Sequence, residues 1–534
     1  MRTGGLCAVF ATAALGATQQ ALANTWNVGC PGAGATTLSV TYVGGAMDGT
    51  TSSMLDFAAD DGTDAALDAL GALLGTPAQR TASTIATSFG VTLSTGDTVK
   101  ITGSCQQDVT ITTPGLRITN ATGSGSDGVQ GQIEVAGARQ TVINGLLVGP
   151  NMNSGSFASA ADQALVYAHD GASAIVQNSS LANSPRVGAF AANASQVLLL
   201  DTFIGGSGAS VPDFEFGVGA LAIDGSSLVI DSPDSNPTTT EIVSNHGGGI
   251  ALFNGSSLVS TSAVVSTEII HANDGRQLFL TGGSSARLTG THVGGDECDT
   301  HCGSSIEAVG ASSLRLDGLT SIGAVAGQSA VTLSGSSTLL ASGTLMIVPA
   351  GAATIEASYN SVVALAGGNT ICNGSFNGST CIDSTGTAFQ IDHVSTLIDV
   401  PPEDFGYTAG QDAVFGGGTV QLQSTVDLGL GTVGGSTPSL AWNTGSGAIA
   451  ISQNSSFRLD GGATVTGKVK LSQGSNGFFN VANGGTNTVT GGVSCPFTAM
   501  PAAHVVAPNA SALSPTPDLA IGFLSATANQ CLPF

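Results

Sequence analysis

One short string keeps returning, and it limits the folds open to this chain more than any other feature. Gly225-Ser226-Ser227-Leu228-Val229-Ile230 is followed by Gly255-Ser256-Ser257-Leu258-Val259-Ser260 and by Gly283-Ser284-Ser285-Ala286-Arg287-Leu288. Ala311-Ser312-Ser313-Leu314-Arg315-Leu316 and Gly335-Ser336-Ser337-Thr338-Leu339-Leu340 continue it, and a weaker Tyr359-Asn360-Ser361-Val362 closes the run. Aligned on residues 227, 257, 285, 313, 337 and 361, the steps are 30, 28, 28, 24 and 24 residues. A period in the twenties with no helix-length apolar pattern inside it marks a β-solenoid, in which no coil buries its inner face alone. Seven residues before the first five anchors stand Ala220, Ile250, Leu278, Ile306 and Ala330, with Ala222, Leu252, Leu280, Ala308 and Thr332 two further on. Apolar residues two apart, in step between repeats, place one face of each strand against the same face of the next coil. After each Gly-Ser turn the middle strand residue points outward, and it is Arg287 in one coil and Arg315 in the next.

These repeated coils resemble the right-handed parallel β-helix of the pectin-lyase-like superfamily, over roughly residues 98–490. The expected fold class is therefore all-β, a right-handed parallel β-helix solenoid with N-terminal and C-terminal caps. The resemblance implies a fold shared by polysaccharide lyases, glycoside hydrolases, epimerases, phage spikes and adhesins, so it does not fix a reaction.

Residues 1–23 read as an export signal: Arg2, an apolar core from Leu6 to Ala17, and Ala21-Leu22-Ala23 as a small-x-small cleavage site. Export places the protein outside the cell or in a periplasm. No later segment offers about 18 uninterrupted apolar residues, so no membrane span is expected. Residues 24–97 are the expected N-terminal cap. Asp60, Asp61, Asp64 and Asp68 surround Leu67, Leu70, Leu73 and Leu74, which is helix spacing with a negative first turn; an acidic calcium loop is the alternative. Residues 491–534, rich in Pro and Ala, are the expected C-terminal cap.

Beyond Cys7, eight cysteines remain, and neighbouring pairs predict four bridges: Cys30–Cys105, Cys298–Cys302, Cys372–Cys381 and Cys495–Cys531. Cys298-Asp299-Thr300-His301-Cys302 also offers zinc donors, but a small disulfide loop suits an oxidising compartment better. No metal site is assigned, and no cofactor is specified. A net charge of −24 opposes nucleic acid and anionic membranes as partners, and an acidic polymer would need a local basic patch.

Only 9% of the chain is charged, so clustering of ionisable residues carries information. His246, His271, His292 and His301 share one window with Glu268, Asp274, Arg276, Asp296, Glu297 and Asp299, with Glu307 and Arg315 just beyond. The repeat register stacks Glu215, Asn245, Asn273 and His301, and beside them Phe216, His246, Asp274 and Cys302. Acid/base chemistry on a sugar needs imidazole or carboxylate within hydrogen-bond reach of the proton it moves. The expected catalytic residues are therefore His246, His271, Asp274, Asp296, Glu297 and His301, with Arg276 and Arg315 binding substrate by neutralising a uronate carboxylate. The alternative is an asparagine ladder that merely closes the turn. Polygalacturonase-like motifs are absent apart from an echo at Asn245-His246-Gly247, and no Arg-x-Pro-x-x-Arg run of pectate-lyase-like enzymes occurs. The chain is expected to bind or modify an extracellular polysaccharide or cell-surface glycan. The alternative is a non-catalytic, adhesin-like surface solenoid.

Overall fold

Stretches of three to six residues with every second one apolar set the strands, and each coil closes from three of them. In one coil Ser227–Ser232 lies on face A, Glu241–Val243 on face B and Gly248–Leu252 on face C, before Ser257–Ser262 returns to face A. Like strands pair in parallel from coil to coil, setting Leu228 beside Leu258, Ile242 beside Ile270 and Ile250 beside Leu278. The architecture is a right-handed parallel β-helix. Face A belongs to a 19-stranded sheet, whereas faces B and C merge into one of 28 strands. They merge because Leu440–Ile451 and Ala463–Leu471 run unbroken through the corner between them.

The computed structural model of the chain describes residues 25–29, 37–43 and 51–56, then 95–494 apart from connections such as 151–163, 208–216, 233–239, 263–267, 295–303, 401–409, 429–431 and 480–487, with short strands at 504–506, 523–524 and 531–532. Among the described residues no helix is long and apolar enough to cross a membrane. The segment expected to cap the N-terminal end supplies a strand of the stack itself. Thr25–Gly29 pairs in parallel with Thr98–Thr102 and antiparallel with Thr37–Val43, which pairs in turn with Thr51–Asp56. The Asp60–Leu74 stretch lies outside the described residues. At the other end His504–Val506, within the expected C-terminal cap, still adds to face A beside Asn476–Phe479.

Leu228, Leu258, Ala286 and Leu314 all point into one continuous core, together with Ile230, Leu288 and Leu316. The alignment on Gly-Ser-Ser strings slips at the fifth repeat, however. Ser313 stacks on Thr338 and not on Ser337, and Ile306 stacks on Val331 and not on Ala330. The cause is that backbone shape, not residue identity, defines the corner from face C to face A. That corner holds two consecutive residues with positive φ: Asp224 and Gly225, Asn254 and Gly255, Gly282 and Gly283, Gly310 and Ala311, Gly335 and Ser336. Gly225 and Gly255 take the second of these places, while Gly335 takes the first. Nothing lies within 4 Å of where a Cβ would sit on Gly225 or Gly255, so glycine there serves the left-handed backbone alone.

A buried serine ends the corner in coil after coil: Ser195, Ser226, Ser256, Ser284, Ser312, Ser337, Ser361, Ser395, Ser424, Ser455 and Ser475. The corner interrupts the strand ladder, so its buried amides and carbonyls need other partners. The serine hydroxyl serves both. Ser226 Oγ accepts from the Ser195 amide at 3.1 Å, Ser395 Oγ from Ser361 at 3.1 Å and Ser424 Oγ from Ser395 at 3.2 Å. The same hydroxyls donate back within the turn, as from Ser256 to the Phe253 carbonyl at 2.7 Å and from Ser361 to Ser358 at 2.6 Å.

The corner from face A to face B solves the same problem with other side chains, and one of them is acidic. Asn369 Oδ1 accepts from the Thr344 amide at 3.1 Å, and Asp412 Oδ1 accepts from the Asn369 amide at 2.9 Å and from its Nδ2 at 2.8 Å. Asp412 is fully buried, and so is Asp399. Burial, and then the Asp399 carboxylate beside it, push the Asp412 pKa up to about 8 against the pull of the Asn369 hydrogen bonds.

Two outcomes follow from these corners. Ser337→Ala strands the Ser312 amide and takes a donor from the Ser334 carbonyl, and is expected to destabilise the fold by about 1–3 kcal/mol, read as a lower melting temperature. Ser313→Ala, at the exposed position just after the buried Ser312, is expected to leave it unchanged. For Asp412 the folded pKa lies above the ordinary 3.8, so its contribution to stability is full below that value and is lost as pH rises through about 8. Asp412→Asn keeps an accepting oxygen for Asn369 and does not ionise. Melting curves from pH 4 to pH 8 are expected to fall more steeply for the natural chain than for this variant.

Candidate functional site

The corner from face B to face C is where the sequence places its ionisable cluster. Asn245 and Asn273 are completely buried there and hydrogen-bond to one another. Asn245 Oδ1 accepts from the Ser207 amide at 3.0 Å, Asn245 Nδ2 donates to Asn273 Oδ1 at 2.8 Å, and Asn273 Nδ2 donates to Gln277 Oε1 at 2.7 Å. Asn273 Nδ2 also reaches the Ile242 carbonyl at 2.9 Å. These amides form an internal ladder. The residues that follow them are held in step by backbone bonds, His246 N–H to Ser207 O and Asp274 N–H to Asn245 O, each 2.9 Å.

That stacking pairs His246 with Asp274, Nδ1 to Oδ2 at 3.3 Å. The imidazole is 46% exposed and the carboxylate 21%, so the pair sits at the surface on a buried base. A carboxylate at Nδ1 orients the ring and leaves its other nitrogen for proton transfer. His271 ends the face B strand Glu268–His271 in register with Val243, and His292 opens the next strand with its Nδ1 against Ser321 Oγ. Gly294 lies between the two histidines: a Cβ there would meet His292 Nε2 at 2.9 Å and His271 Cβ at 3.4 Å. His246 and Asp274 thus stand on the corner, with His271 and His292 on the adjoining face.

The two arginines part company. Arg276, at the end of this same corner, pairs through Nε with Glu307 on face C and lies over the Phe279 ring at 4.9 Å. Arg315 belongs to face A, where its Nε meets Asp317 at 3.0 Å while Arg287 meets the same carboxylate at 2.7 Å. Asp296, Glu297 and His301 lie outside the described residues, as do Cys298 and Cys302. Cys372 and Cys381 are bridged, their Cα atoms 5.7 Å apart. Cys105 is also disulfide-bonded. Cys30 and Cys495, and the side chain of Cys531, lie outside the described residues.

Sequence reasoning missed a second constellation on face C, in coils upstream of the repeats that carried the register. His169 bridges two carboxylates, Nε2 to Glu134 at 2.8 Å and Nδ1 to Asp170 at 2.9 Å, and Tyr167 stacks on its ring at 4.6 Å. Glu134 is held in turn by Thr110 Oγ1 at 2.5 Å. Both ring nitrogens of His169 are occupied by the chain's own acids, which makes this a clamp between coils. Its signal in the sequence is the outward position that Glu134 and Tyr167 share in paired strands.

No protein family, curated protein or solved structure matches this chain. The ladder and the surface pair are separable by mutation. Asn273→Ala removes the partner of Asn245 and bares the Ile242 carbonyl, and is expected to destabilise the fold by about 1–3 kcal/mol for each group left unpaired. Asp274→Ala removes a side chain that is 21% exposed and closes no backbone corner, and is expected to shift the melting temperature far less. Thermal melting of both variants checks this.

Proposed function

We propose that this chain is an exported β-helix, of the pectin-lyase-like kind, that engages and modifies extracellular polysaccharide by lyase, hydrolase or epimerase chemistry. The single observation that carries the reading is the His246–Asp274 pair, a half-exposed imidazole held by a carboxylate on a rigid buried ladder. In this reading His246 moves the proton and Asp274 sets its orientation and stabilises its charged form. His271 flanks the sugar on face B. Asp296, Glu297 and His301 are assigned to the same site because residues 295–303 connect faces B and C in the following coil. Arg276, two residues from Asp274, receives a uronate carboxylate by exchanging it for Glu307, and Arg315 does the same further along the chain by exchanging it for Asp317. Disulfides at Cys372–Cys381 and Cys105 support an oxidising compartment, as does the leader pattern of residues 1–23.

A non-catalytic, adhesin-like solenoid is the second reading. It is favoured by one observation: both arginines assigned to substrate are already satisfied by the chain's own carboxylates.

Purified protein incubated with a panel of polysaccharides, read for unsaturated ends and for reducing ends, separates the two. Turnover on one polymer is expected, and a His246→Ala/Asp274→Ala double variant is expected to lose it while its melting temperature stays within a few degrees. Turnover that survives the double variant places the chemistry elsewhere on the helix. Loss of stability in place of turnover assigns the pair to the ladder and favours the adhesive reading.

A further inference from the structure

The corner from face C to face A keeps its backbone shape along the helix but changes its chemistry partway. Upstream, its first left-handed residue is short and polar or glycine: Asn193, Asp224, Asn254, Gly282. These are the residues that tolerate positive φ. Three later coils instead carry Tyr359-Asn360, His393-Val394 and Leu422-Gln423, with φ from 50° to 67°. Left-handed backbone disfavours large side chains, and a β-branched residue such as Val394 is an outlier there. Glycine or asparagine would make the same turn without strain. The strain therefore points to what these side chains do outside the coil.

They line one concavity of about 520 Å³, to which the next coil adds the amides of Gln453 and Asn454. Tyr359 is 54% exposed and Val394 52%, more than any other large apolar side chain among the described residues. The Tyr359 ring stacks on His393, centroids 4.4 Å apart and planes 28° apart, and Asp392 Oδ1 fixes that imidazole through Nδ1 at 2.8 Å. The lining contains no lysine, arginine, aspartate or glutamate. Coil spacing makes the concavity about 14 Å long, three steps along the axis.

We propose that this edge is a binding site for a neutral glycan chain, with the Tyr359–His393 pair as its stacking platform. The flat aromatic pair and the apolar Val394 and Leu422 meet the C–H faces of pyranose rings, and the amides of Asn360, Gln423 and Gln453 exchange hydrogen bonds with hydroxyls. A polyuronate finds no lysine or arginine here and meets the field of a chain with net charge −24. The site is independent of the His246–Asp274 pair, which stands on a different corner.

Calorimetric titration of the full chain with neutral gluco-, manno-, xylo- and galacto-oligosaccharides, and with an oligogalacturonate, tests this. At least one neutral oligomer is expected to bind, and Tyr359→Ala to weaken it by about tenfold or more. Val394→Gly is expected to raise the melting temperature while weakening binding, because it relieves the backbone and removes the contact. Asn254→Ala, at an upstream corner, and His246→Ala/Asp274→Ala are expected to leave the affinity unchanged, so a failure of the catalytic reading is told apart from a failure of this one. The proposal is overturned if no neutral oligomer binds, if the oligogalacturonate binds more tightly, or if Tyr359→Ala binds as well as the natural chain. A concentration-dependent dimer abolished by Tyr359→Ala also overturns it, since the occupant is then a second copy.

Discussion

A buried amide at a corner must find an acceptor, and at the corner between faces C and A the hydroxyl of a buried serine supplies it to the amides of Ala172, Ser195, Ser312, Ser361, Ser395 and Ser424. The rest of the helix depends on that arrangement. Two left-handed residues turn the chain, the serine ties the turn to the coil before it, and the face A strand then starts at the same height in every coil. With faces C and A locked in register, Leu228, Leu258, Ala286 and Leu314 meet inside without adjustment. Length variation is left to the other two corners.

Those corners carry the same constraint with different solutions. Between faces B and C the acceptors are amides, Asn245, Asn273 and Gln277. Between faces A and B they are Asn369, which accepts from Thr344, and Asp412, an acid kept protonated over much of the ordinary pH range by burial and by Asp399. A side chain that closes a corner inward also fixes where its neighbour points outward. His246 and Asp274 follow the buried asparagines, and Tyr359 and His393 precede the buried serines at 361 and 395. Candidate chemistry on this molecule is therefore the outer half of a structural device, held rigid by the inner half.

The fold was legible because stacking repeats the same inward positions, and a period in the twenties with paired apolar residues admits few other architectures. The slip at Gly335 shows where such reading fails: a string of letters was aligned, whereas the chain aligns backbone angles, and glycine satisfies either of the two left-handed places. The site was legible only in part. Register alone brought His246 next to Asp274, because adjacent coils convert a sequence offset into a contact. It could not say which face a residue occupies relative to another strand of its coil, so Arg276 and Arg315 looked equivalent although one stands on the corner between faces B and C and the other on face A. The His169 clamp was hidden in coils without the Gly-Ser-Ser string, and Tyr359 looked like a degraded repeat when its departure from the pattern was the informative part.

The fixed corner of four residues has one more consequence. A chain in which one edge is invariant and two are free has two independent ways to change. An inserted coil lengthens the molecule by one strand spacing and leaves its girth alone, while an inserted loop at either free edge widens it locally and leaves its length alone. Neither change propagates, because each coil contacts only its neighbours. Duplicating the coil that holds His393 would extend the strained edge by one more rung, so the length of that edge can be adjusted in whole units without redesigning the core.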